Sequence, residues 1–257
     1  MRFKDKVVVV TGGANGIGEA IGVAFLTEGA MVASVDIAVL RFREHERIFL
    51  FPGDVSKSED CKDAVGRVVT SWGCPEILIN CAAIQPLESY RPVAELSEEV
   101  WDRIMAVNLR GYFLMAKYCL PHMMRQGHGV IINIASVTAH AASKNIAAYA
   151  ASKAGIVSLT RSFALEYAQD GIRAVAICPG TIDTDRLRST LTAQTHGRPP
   201  EEALAKLGAA HPLGRIGTPS EVASVVLYVA SDDASFITGT SIYVDGGLLA
   251  KGAWAVE

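Results

Sequence analysis

The stretch Val7-Val8-Val9-Val10-Thr11-Gly12-Gly13-Ala14-Asn15-Gly16-Ile17-Gly18 joins an apolar run to a glycine-rich turn. Residues 7–10 are β-branched and apolar on both faces of the pleat, the pattern of a central strand in a parallel sheet covered on both sides. The turn leads into a helical stretch ending near Gly29. Strand, glycine turn and helix in this order is the context a dinucleotide site needs. Glycines let the backbone turn tightly and approach a pyrophosphate, and the helix N-terminus offers unbonded N–H groups to that anion. The same glycines would serve a plain turn; the flanking strand and helix favour the nucleotide.

Residues 31–35 read as a second strand ending at Asp36. A carboxylate there can accept hydrogen bonds from adenosine ribose hydroxyls and would repel a 2′-phosphate. Ile37 follows and Asn15 sits in the glycine loop, so no cation stands ready for that phosphate, and NAD is favoured over NADP. Arg41, Arg43 and Arg47 lie nearby, and a helix cap or turn is the other role open to Asp36. A third strand at 48–51 precedes Asp54-Val55, where Asp54 either meets the adenine edge or caps the helix at 58–72. A short strand at 76–80 ends in Asn80-Cys81-Ala82-Ala83. The helical stretch 97–124 contains Asn108, a poor interior helix residue, which has a polar task there or marks a distorted turn.

A second centre lies at 136–153. The apolar run 130–134 reads as a buried strand, Ser136 follows it, and an Ala-rich helix carries Tyr149 and Lys153 to about residue 169. Four residues apart, the two share a helix face. An ammonium beside a phenol favours the phenolate and lowers a pKa that starts near ~10, which makes Tyr149 a candidate general base. The plain alternative is a core tyrosine with a snorkelling lysine. Beyond it come a strand at 175–178, the turn Pro179-Gly180, a mixed segment 181–218 of the kind that forms substrate lids, a helix at 220–231 and a strand at 241–244. Strands alternating with helices throughout give one doubly wound α/β sheet, a single domain over 1–257.

Composition narrows the function classes. Half of the 257 residues are hydrophobic and the net charge is −3, which suits an enzyme with a large core and leaves no nucleic-acid or membrane footprint. Cys61, Cys74, Cys81, Cys119 and Cys178 are scattered, odd in number and without Cys/His clusters, so metal and disulfide readings are both poor and a cytoplasmic protein is expected.

Taken together, Thr11-Gly12-x-x-x-Gly16-Ile17-Gly18, Asp54, Asn80, Asn108, Ser136, Tyr149-x-x-x-Lys153 and Pro179-Gly180 with Thr184 resemble the short-chain dehydrogenase/reductase family over essentially the whole chain. The resemblance implies a Rossmann-type sheet, a nicotinamide cofactor and a catalytic set of Ser136, Tyr149 and Lys153 with Asn108 as fourth member. It implies cofactor contacts at Gly12, Asn15, Gly16, Ile17, Gly18, Asp36, Asp54, Val55, Asn80, Ala82, Tyr149, Lys153, Pro179, Gly180, Ile182 and Thr184. It also implies a homotetramer built partly on the helices at 97–124 and 148–169. Two positions depart from the family pattern. Ala83 stands where the family has glycine, costing about 1–2 kcal/mol if that position needs a positive φ. Ala139 replaces a glycine three residues after the serine, which would narrow the substrate loop.

These features fit an NAD-dependent oxidoreductase that interconverts a secondary alcohol of sugar, polyol or cyclic diol type and its ketone or lactone. Rival readings are a 3-oxoacyl-thioester reductase, an epimerase of the same fold and a non-catalytic NAD-binding sensor. Segment 181–218 holds Arg186, Arg188, Arg198, Lys206 and Arg215 against Asp183, Asp185, Glu201 and Glu202. Its charges either pair on the surface or turn Arg186 or Arg188 toward an anionic substrate, with His140 or Lys144 helping.

Overall fold

The computed structural model describes residues 1–38, 46–195 and 199–251. Seven strands form one parallel sheet: β1 (Val7–Thr11), β2 (Met31–Asp36), β3 (Ile48–Pro52), β4 (Ile77–Asn80), β5 (Gly129–Ile134), β6 (Ile172–Pro179) and β7 (Ser241–Val244). Their spatial order is β3-β2-β1-β4-β5-β6-β7. The chain winds outward from β1 to β3, then crosses back to lay β4 beside β1, with Val8 opposite Ile77. That reversal opens a crevice at the carboxyl ends of β1 and β4, where ligands of such sheets bind.

Helices cover both faces. On one lie α2 (Ser58–Trp72), α4 (Gly111–Gln126) and α5 (Ala147–Glu166), packed on Val9, Leu78 and Ile131. On the other lie α1 (Gly16–Thr27) and α8 (Pro219–Ala230), whose Ile21, Phe25, Val222 and Val226 meet Val8, Val10, Ile79 and Ile132. Successive strand residues feed alternate cores, which is why the strands show no polar alternation. Each such side chain contributes about 1.5–3 kcal/mol on burial.

The long helical stretch is not one regular helix. Helix α3 (Glu98–Met105) passes through a π turn (Ala106–Arg110) into α4, and Asn108 sits inside that turn. The wider turn accommodates a residue whose side chain bonds elsewhere. The described residues of segment 181–218 include two helices that the mixed composition did not predict. These are α6 (Asp185–Gln194), capped by Thr184 Oγ1 accepting from Leu187 N–H at 3.2 Å, and α7 (Glu201–Ala210). Arg198, Arg41 and Arg43 lie outside the described residues.

Candidate active site

The crevice above β1 and β4 is a cleft of about 850 Å³ running from Asp36 and Asp54 past the glycine turn to Tyr149 and Lys153. Every sequence-predicted site residue lines it except Asn80 and Asn108.

At its floor the glycines are required by contact. Gly12 has φ +70°, and a Cβ there would stand 2.7 Å from Ala82 Cα; a Cβ on Gly18 would stand 2.1 Å from the Gly12 carbonyl oxygen. Thr11 Oγ1 accepts from the N–H groups of Cys81 (3.0 Å) and Ala82 (3.2 Å), locking the turn to the loop after β4. Asn15 precedes α1 in extended conformation and its side chain does not cap the helix. The first turn of α1 therefore keeps N–H groups for an anion, and the residues present fit a dinucleotide pyrophosphate. Gly18→Ala is expected to cost about 1–3 kcal/mol, because backbone must shift. That lowers Tm by about 2–10 °C for a domain of this size. Thermal unfolding checks it, and an unchanged Tm would contradict the contact.

At the Asp36 end of the cleft, Asp36 Oδ2 accepts from Ala14 N–H (3.0 Å) and Oδ1 from Ala38 N–H (2.9 Å), so the carboxylate ties the glycine turn to β2 and still faces the cleft. Arg47 is engaged with Asp5 (2.7 Å) and the Gly29 carbonyl (3.2 Å) at the opposite end of β2. Asp54 Oδ1 accepts from Ser56 N–H (2.9 Å) and Oγ–H (2.7 Å), an Asx turn ahead of α2 rather than a cap on it.

Two expectations change here. The Asn80 side chain does not reach the cleft. Its amide donates to Asn133 Oδ1 (2.9 Å) and the Tyr112 carbonyl (3.4 Å), because alternation along β4 turns it into the sheet interior toward α4. Ala83 does not adopt a positive φ, so its departure from glycine carries no such cost.

At the other end, Lys153 is 2% exposed, which excludes a snorkelling side chain. Its ammonium donates to the Ile134 carbonyl (2.8 Å) and Tyr112 Oη (3.5 Å) and lies 5.5 and 5.6 Å from the ring centroids of Tyr112 and Tyr149. Burial by itself raises the Tyr149 phenol; the Lys153 charge, the Arg186 charge and hydrogen bonds from Arg186 and Ser136 outweigh it. The phenol ends below its ordinary value of 10. Burial lowers the Lys153 ammonium, and Tyr149 opposes that shift. Ser136 Oγ accepts from Thr138 N–H (3.1 Å), which leaves its own proton to donate. The nearby Cys81 thiol is pushed up to about 11 by burial, against the pull of Lys153, so it stays protonated at neutral pH and is no nucleophile.

Asn108 acts on the loop above. Its Oδ1 accepts from Ile84 N–H (2.7 Å), and its amide donates to the Ile84 carbonyl (2.9 Å) and to Ser152 Oγ (3.3 Å). None of its bonds among the described residues goes to Lys153.

The lid arginines separate. Arg188 is held bidentately by Asp183 (2.7 and 2.6 Å) and Arg215 by Glu221 (3.0 and 2.6 Å), and Lys206 pairs with Glu202 (2.8 Å). Arg186 lines the cleft and donates to the Ala83 carbonyl at 3.1 Å. His140 meets Tyr243 edge to face, and neither it nor Lys144 lines the cleft. Tyr112, whose hydroxyl donates to the Ile134 carbonyl (3.0 Å) beside Lys153, is a contributor the sequence reading did not single out. Its only signal was a polar-tipped ring among the apolar positions of α4.

A family profile described as enoyl-(acyl carrier protein) reductase matches residues 12–249. The chain is 37% identical to 2-(S)-hydroxypropyl-CoM dehydrogenase 3 of Xanthobacter autotrophicus, over 97% of this chain and 98% of that protein. It is 36% identical to a 3-oxoacyl-[acyl-carrier-protein] reductase of Thermotoga maritima, over 97% and 100%. The ligand-free structure of Thermoplasma acidophilum aldohexose dehydrogenase superposes with a TM-score of 0.92 at 38% identity, covering 99% of this chain and 98% of that one. With the glycine turn, the sheet order and the Tyr149–Lys153 pair already in place, these matches make the chain a member of the short-chain dehydrogenase/reductase family of oxidoreductases.

Proposed function

We propose that the protein is an NAD-preferring dehydrogenase that interconverts a secondary alcohol and its ketone, with Tyr149 as general acid/base. The observation that carries this reading is the buried Lys153 ammonium against Tyr149 at one end of a cleft whose other end holds the Asp36 carboxylate. The cofactor, when bound, supplies the hydride acceptor. The chain's own part is to hold the dinucleotide on the glycine turn and the first turn of α1, and to orient the carbinol at Ser136. As phenolate, Tyr149 takes the hydroxyl proton while Lys153 keeps that phenolate stable. Thr184, Ile182 and the Pro179-Gly180 turn flank the nicotinamide end, and Asn108 positions the Ile84 loop above it. The hydroxypropyl-CoM and aldohexose relatives act on alcohols by name, which supports the direction. A 3-oxoacyl-thioester reductase is the nearer rival, set aside because nothing cationic accompanies Asp36 among the described residues. The retained Tyr149–Lys153 pair speaks against a non-catalytic sensor.

A screen of secondary alcohols and sugars with NAD and with NADP, read as reduced-nicotinamide absorbance, tests this reading; no turnover with any of them would overturn it. We also propose a cytoplasmic, single-domain protein that assembles as a homotetramer. The exposed apolar side chains of Trp101, Phe113 and Leu165 on α3, α4 and α5 suit subunit packing. Sedimentation is expected to give four times the 27.3 kDa chain mass, and a monomer at micromolar concentration would contradict it.

A further inference from the structure

Segment 181–218 supplies several cations, and the described ones are answered by carboxylates with one exception. Arg188, Lys206 and Arg215 each pair with an acid. Arg186 has no carboxylate partner among the described residues. Its guanidinium donates to the Ala83 carbonyl, and it shares the cleft with the Tyr149 phenol, the group that handles the proton, whose ionised form its charge favours. One donor is engaged in this way, and a guanidinium has five.

We infer that Arg186 is a substrate-binding residue and that the substrate carries an oxyanion — a carboxylate, sulfonate or phosphonate — one or two bonds from the carbinol carbon. The inference rests on the dehydrogenase reading above and narrows its substrate class. The spacing follows from position: Arg186 lines the same cleft as Ser136 and Tyr149 and is tied to the Ala83 carbonyl on its wall, so it meets groups close to the reacting centre. Electrostatics is compatible with it. An anion approaching a phenolate base is repelled, and the Lys153 ammonium is already committed to the Ile134 carbonyl and the two tyrosine rings. Arg186 supplies the second positive charge that lets an anion and a phenolate share one site. Asp185 also lines the cleft, in the first turn of α6, where the helix dipole stabilises it. In the oxidation, the carbinol C–H leaves as hydride to the nicotinamide oxidant and the O–H proton passes to Tyr149. The product is a keto acid with its anionic group intact.

The test compares 3-hydroxybutyrate with its methyl ester, and with the sulfonate and phosphonate analogues, as kcat/KM with NAD. The anion is expected to exceed the ester by ~10–100-fold in the parent protein, the scale of a charge-assisted hydrogen bond. Arg186→Gln should bring that ratio near one, Arg186→Lys should keep part of it, and Arg188→Gln should leave it unchanged. The order among the three anions identifies which oxyanion the site takes. Using the ratio within each variant removes any common change in Tyr149 ionisation or folding. Calorimetric titration of the protein with acetoacetate gives a second readout, with weaker binding expected in Arg186→Gln. Turnover of acid and ester at equal kcat/KM would overturn the anion site while leaving the dehydrogenase intact. Acetoacetate binding that depends on Arg186, with no alcohol oxidised, would support the anion site and overturn the dehydrogenase.

Discussion

Tyr149→Phe is expected to lower kcat for alcohol oxidation by at least ~100-fold, the scale of general acid/base catalysis. The substitution removes one oxygen from a half-buried ring and leaves the ring's packing and the Lys153 ammonium beneath it in place. Substrate hydroxyl protons then have no acceptor, since Cys81 is protonated at neutral pH and Ser136 serves as a donor. Cofactor binding should change much less, because the glycine turn and Asp36 are untouched. Steady-state kinetics with a cofactor-binding titration separates the two effects. Turnover within threefold of the parent protein would remove Tyr149 from the proton-transfer role.

The second large effect concerns cofactor choice. A 2′-phosphate beside the half-buried Asp36 carboxylate meets a repulsion of about 3 kcal/mol, between the exposed and buried limits for charges a few ångströms apart. That corresponds to a preference for NAD over NADP of ~100-fold in kcat/KM. Ile37 is exposed and Arg47 is turned away to Asp5, so neither offsets it. Asp36→Ala combined with Ile37→Arg should bring the two cofactors within ~10-fold of each other, by removing the repulsion and adding a cation. Loss of the bonds to Ala14 and Ala38 should also reduce thermal stability. Equal kcat/KM for the two cofactors in the parent protein would contradict the ribose role of Asp36.

Much of this was legible in the chain. The glycine turn announced the β1–α1 junction because backbone contact leaves no room for a side chain at Gly12 or Gly18. Helix 58–72 and strand 241–244 coincide with the periodicity that predicted them. The partners of long side chains were not legible. Asn80 looked like a cleft residue, yet strand alternation sends it to Asn133. Arg186 and Arg188 were equivalent in sequence until the start of α6 brought Asp183 to Arg188 and left Arg186 facing the cleft. The π turn around Asn108 depends on a bond to Ile84, 24 residues away, that no local pattern encodes. The helices of segment 181–218 were obscured by its mixed composition and by Pro199-Pro200 between them.

The central claim is that Lys153 and its neighbours hold Tyr149 ready to ionise below the ordinary tyrosine value. Ultraviolet titration of phenolate absorbance in the parent protein, minus the same titration of Tyr149→Phe, measures that ionisation without substrate or cofactor. The difference curve is expected to rise at a pH below 10 and to move upward in Lys153→Met, because the phenolate loses its nearest positive charge. A difference curve that rises at or above 10 in the parent protein, or does not move in Lys153→Met, would contradict the claim.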